Sequence, residues 1–73
     1  MGKFRVLSGT EVCQILSNHG FREVRRRGSH ILMQKILPGS TITIPIPDHR
    51  KLKISTLLSI IRQSGIPKGE FES

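Results

Sequence analysis

Hydrophobic positions change period twice along this chain. Val12, Ile15, Leu16 and His19 recur at three- and four-residue spacing, which stacks side chains on one helix face. Ser8-Gly9-Thr10-Glu11 in front of them reads as a capping box, with the Ser8 side chain and Glu11 satisfying each other's backbone N–H groups. Gly20 is placed to stop the helix in a left-handed conformation, and Phe21 to fold back on it. Between Phe21 and Ile46 the period falls to two. Phe21 to Arg27 and His30 to Leu37 read as strands separated by a tight Gly28-Ser29 turn, and Pro38-Gly39-Ser40 forms a second turn. Thr41 to Ile46 then alternates, with Ile42, Ile44 and Ile46 on one side; Pro45 and Pro47 cannot donate ladder hydrogen bonds and assign this third strand to an edge. Helical spacing returns at Ile54, Leu57, Leu58 and Ile61, and Gly65-Ile66 ends it near Ser64. Beyond that, Pro67 to Phe71 adds a short turn at most, and the tail is expected to fray.

The expected architecture is therefore α+β: a helix, a three-stranded antiparallel meander and a second helix, with both helices on one sheet face. The whole chain, 1–73, forms one domain with an ordered core over about 7–66. Parity on the central strand assigns Ile31, Met33 and Leu37 to the covered face and points His30 away from it. On the first strand an inward Val24 sends Glu23, Arg25 and Arg27 outward, beside His30.

Charge gives this open face a meaning. Lys and Arg number 12 against 5 Asp and Glu, a formal charge of +7. Such an excess attracts polyanions. The polar sides of the helices carry mainly Ser, Gln, Thr and Asn, so the cations lie between the helices, which favours nucleic acid over a membrane surface. The start Met1 to Leu7 lacks the apolar run of a signal peptide, and no stretch is long enough to span a bilayer. Cys13 has no second cysteine to pair with and reads as a small core residue. A cytoplasmic protein is expected.

The densest chemistry is Arg25-Arg26-Arg27-Gly28-Ser29-His30. Imidazole exchanges protons near neutral pH, and fixed cations beside it stabilise charge building up on a phosphate. The alternative is a surface histidine behind a solvated arginine edge. His49 either helps to bind phosphate or simply finishes the third strand, and His19 suits its helix C-terminus. Zinc-ligand spacing and a glycine-rich nucleotide loop are lacking, and the acidic residues are too scattered for a two-metal nuclease. No cofactor or metal is expected. With only Phe4, Phe21 and Phe71 as aromatics, an aromatic platform for single-stranded bases is not expected either.

Three blocks in order carry a family resemblance: Gly28-Ser29-His30 after the basic strand, Ile44-Pro45-Ile46-Pro47-Asp48-His49, and Leu52 through Ile66. Together they resemble the HicA-type (YcfA-like) toxins of toxin–antitoxin systems, from about Leu7 to Phe71. Arg50 stands where the family commonly has a glycine, and Ser55 where a helix-start glycine is frequent. The resemblance implies a fold like a double-stranded-RNA-binding domain, an mRNA interferase activity and neutralisation by a HicB-type antitoxin. It places the family's catalytic histidine at His30. Arg25, Arg26, Arg27, Ser29, Lys35, His49, Arg50, Lys51 and Lys53 are then the expected RNA contacts, with mRNA as substrate and no metal. A non-catalytic RNA-binding module of the same fold is the competing expectation.

Overall fold

The computed structural model describes residues 6–72; Met1 to Arg5, with the basic N-terminal start and Phe4, and Ser73 lie outside the described residues. Its order is α1 (Gly9–Ser17), β1 (Arg22–Arg27), β2 (His30–Leu37), β3 (Ser40–Pro47), α2 (Ile54–Ser64) and a 3-10 turn, η1 (Lys68–Phe71). This is the α+β, double-stranded-RNA-binding-domain-like layout expected from the sequence.

The Ser8 capping box forms as expected: Glu11 N–H donates to Ser8 Oγ at 3.1 Å, and Ser8 N–H donates to Glu11 Oε1 at 2.9 Å. The helix closes on Asn18, and Gly20 turns left-handed two residues later (φ 91°). That turn brings the Phe21 N–H back to the Leu16 carbonyl and buries the Phe21 ring. The sheet is a meander of order β1-β2-β3, with β2 central and β3 at an edge.

Val12 and Leu16 of α1 and Leu57, Ile60 and Ile61 of α2 share one core with Ile31, Met33, Ile44 and Ile46 of the sheet. Ile31 pairs with Ile46 and Met33 with Ile44, so these four share one sheet face and both helices cover it. Residue 9 has to be glycine here. A Cβ on it would strike the Pro47 carbonyl oxygen and reach 3.0 Å from the Asp48 Cα, so α1 could not start this close to the end of β3.

Three expectations are corrected. First, a bulge at Val24 resets the β1–β2 register. Glu23 opposes Met33 and Arg26 opposes Ile31, on the covered side, whereas Arg25 and Arg27 oppose Leu32 and His30. Val24 is 42% exposed rather than inward, and Glu23 leaves the His30 face. Second, α2 buries Leu57, Ile60, Ile61 and Ser64, while Ile54 and Leu58 stay 52% and 38% exposed. Third, the core does not end near Ile66. Phe71 is fully buried, and His19 Nε2 lies 3.1 Å from Glu70 Oε1, tying the end of α1 to η1. Among the described residues the one buried polar side chain, Ser64, is satisfied: its hydroxyl donates to the Ile61 carbonyl at 2.9 Å and accepts from Ile66 N–H at 3.1 Å.

Candidate nucleic-acid interface

The sheet face left uncovered by the helices carries Arg25 and Arg27 from β1, His30, Leu32, Gln34 and Ile36 from β2, and Thr41, Thr43, Pro45 and Pro47 from β3. Ile36 is 71% exposed, and Gln34 Nε2 donates to Thr43 Oγ1 across the strands at 3.2 Å. His30 sits at the first position of the central strand, exposed, with Arg27 opposite on one neighbour and Pro47 on the other. Side chains directly opposite in an antiparallel ladder are roughly 5 Å apart at Cβ. The register therefore sets the Arg27 side chain beside that of His30, and both line one hollow.

The backbone around His30 is fastened on two sides. Gly28, with φ 57°, supplies the left-handed residue that a two-residue hairpin requires. The Ser29 carbonyl then accepts from Asp48 N–H at 2.6 Å, which binds the β1–β2 turn to the end of β3. Arg26 reinforces the link by donating from Nη1 to Asp48 Oδ2 at 2.8 Å, with Glu23 Oε1 3.9 Å from its Nη2. The Asp48 carboxylate is thus held by Arg26 from the covered side. It does not serve as the partner of its sequence neighbour His49.

The remaining expected contacts divide by location. Ser29 is exposed in the turn beside His30. His49, Arg50, Lys51 and Lys53 are exposed along the loop from β3 to α2, where the His49 carbonyl accepts from Gly9 N–H at 2.9 Å and Lys53 is the α2 N-cap residue. Two of these cations stand off the open face. Arg26 points to the covered side in its pair with Asp48. Lys35 shares the parity of Ile31 and Met33, and its ammonium stands 5.8 Å from the centre of the Phe21 ring.

Two hollows meet at His30. One, of about 460 Å³, lies on the open face among Arg27, His30, Leu32 and Pro45. The other, of about 370 Å³, runs between β3 and α2, with His30, Pro45 and Pro47 on one side and Ser55, Thr56, Ser59 and Gln63 on the other. None of these α2 side chains was among the RNA contacts expected from the sequence. Their signal was present in Ser55, Ser59 and Gln63 at four-residue spacing, an uncharged polar stripe that says nothing of what it faces until β3 is placed beside it.

Cys13 is part-buried on α1, and burial, with Glu23 nearby, pushes its thiol up to about 11. At neutral pH it is protonated and a poor nucleophile or metal ligand. No group of three or more His, Cys, Asp or Glu side chains capable of holding a metal occurs among the described residues. No helix among them is long and apolar enough to cross a membrane.

A family model described as the HicA toxin of bacterial toxin–antitoxin systems matches residues 9–66, spanning α1, the whole sheet and α2. No curated protein and no solved structure matches the chain.

Proposed function

The chain belongs to the HicA toxin family of bacterial toxin–antitoxin systems, and we propose that it acts as an endoribonuclease on mRNA, without a metal, with His30 as its proton-transfer residue. The observation that carries this reading is the position of His30: exposed at the head of the central strand, on the helix-free face, with Arg27 directly opposite.

RNA lies across that face with its phosphates on Arg25 and Arg27, near Ser29, and continues toward His49, Arg50, Lys51 and Lys53. His30 takes the proton from a ribose 2′-hydroxyl as that oxygen attacks the adjacent phosphorus. The bond from phosphorus to the 5′-oxygen breaks, the leaving oxygen takes a proton from water, and the products carry a 2′,3′-cyclic phosphate and a 5′-hydroxyl. Arg27 and Arg25 stabilise the extra negative charge on the phosphoryl oxygens in the transition state. One positioned proton-transfer group contributes about 10²–10⁴-fold, so the enzyme is slow. The same basic face suits an acidic HicB-type antitoxin, which on binding would cover His30.

The test is incubation of the purified protein with RNA in EDTA, alongside His30→Ala. Wild type should give cyclic-phosphate ends, and the variant should bind RNA but cut it about 10²–10⁴-fold more slowly. Cutting at the wild-type rate by His30→Ala would remove His30 from the role. Binding without cutting by wild type would leave an RNA-binding module.

A further inference from the structure

His30 stands on the divide between two hollows of unlike chemistry. On one side Leu32 and Pro45 form an apolar floor with Arg27 at its rim. Such a floor receives a base by its face and is indifferent to which base it is. On the other side, across Pro47, lies the groove walled by α2. Its wall presents hydroxyls and a carboxamide, the groups that hydrogen-bond to the edge of an unstacked base.

The wall is also ordered. Gln63 Nε2 donates to Ser59 Oγ at 3.1 Å, one helical turn away. That bond orients the carboxamide and uses only one of its hydrogen-bonding positions, leaving the second N–H, the Oε1 and the Ser59 hydroxyl proton for a ligand. A merely solvated helix face would carry charges, but Arg62 is the single charged residue of α2. Strand addition is an unsuitable use for the groove, because Pro45 and Pro47 interrupt the donor row on that edge.

We propose that the groove between β3 and α2 is the base-reading subsite of this nuclease. It holds one nucleobase next to the cut, and Gln63 with Ser59 sets which base is preferred there. The proposal rests on the nuclease reading above. A phosphodiester in line with His30 has a nucleoside on either side, and the two hollows receive them: the apolar floor without discrimination, the polar groove with it.

Two measurements test this. The first maps RNA ends carrying a 5′-hydroxyl after cleavage by wild type, Gln63→Ala and Ser59→Ala, with circular dichroism confirming that each is folded. Wild type should favour one base at one fixed position beside the cut. Gln63→Ala should weaken that preference by about five- to 150-fold, the range for a paired hydrogen-bond contact to a base. An unchanged preference in both variants, or none in wild type, overturns the proposal. The second measurement separates this failure from failure of the nuclease reading. Adenosine, cytidine, guanosine and uridine 3′-monophosphates are titrated singly into ¹⁵N-labelled protein. If wild type cuts no RNA, the subsite stands only if one nucleotide shifts the Gln63 side-chain amide more than the others do. Equal shifts, or none, overturn it.

Discussion

Arg25, Arg26 and Arg27 are the same side chain three times in succession, and the sheet gives them different neighbours. Arg27 and Arg25 stand on the open face opposite His30 and Leu32, whereas Arg26 opposes Ile31 and is held by Asp48 at 2.8 Å. Composition cannot distinguish them; the strand's period of two can. Arg27→Ala should weaken RNA binding and make the slope of log affinity against log salt shallower by roughly 0.7, the loss of one phosphate contact on a single strand. Arg26→Ala should leave that slope unchanged. Its ion pair with Asp48 is about half exposed, so its loss should cost at most about 1 kcal/mol in urea unfolding. Fluorescence anisotropy with labelled RNA across a salt series separates the two. Equal slopes for Arg26→Ala and Arg27→Ala would show that the register does not decide which arginine meets the phosphates.

At the level of elements, the sequence was most legible where a local signal is complete by itself. The Ser8-Glu11 capping box, the Gly28-Ser29 turn and the prolines of β3 each contain their own physical reason, and each appears where expected. Two features depend on what an element meets later. The bulge at Val24 has no glycine or proline to announce it, and it exchanges the faces of Val24 and Glu23. Helix α2 holds two overlapping sets at helical spacing, one of Ile54, Leu57, Leu58 and Ile61 and one of Leu57, Ile60 and Ile61 with the polar Ser64. Both satisfy helical spacing, and only the approach to β3 selects the second. The choice is measurable in two neighbouring leucines. Leu57, 1% exposed, should lose about 2–5 kcal/mol on mutation to alanine. Leu58, 38% exposed, should lose under about 1 kcal/mol, since much of its surface is wet in the folded state. Urea melts read both, and equal losses would mean that α2 presents the first set to the sheet. The same rotation turns Ser59 and Gln63 toward His30, so the candidate groove was illegible for the same reason the stripe was misassigned.

On the scale of the whole molecule, a 73-residue chain with one cysteine has little stability in reserve. Every large buried side chain matters to a face that must hold His30 steady against RNA. The residues after Ile66 contribute more than their position in the sequence implies. Phe71 is fully buried in the same cluster as Leu16, Phe21 and Ile31, so η1 closes the end of the core. Glu70 beside it meets His19 at 3.1 Å, but with 52% of the Glu70 side chain exposed this pair is worth at most about 1 kcal/mol. The apolar contact should therefore dominate. Phe71→Ala removes about 3–5 kcal/mol, a large part of a total that for small domains starts near 5 kcal/mol. In thermal melts Glu70→Ala should stay within a few degrees of wild type, while Phe71→Ala should melt far lower or fail to show a cooperative transition. A Phe71→Ala protein melting with wild type would mean that η1 only rests on the surface and that the core is complete at Ile66 without it.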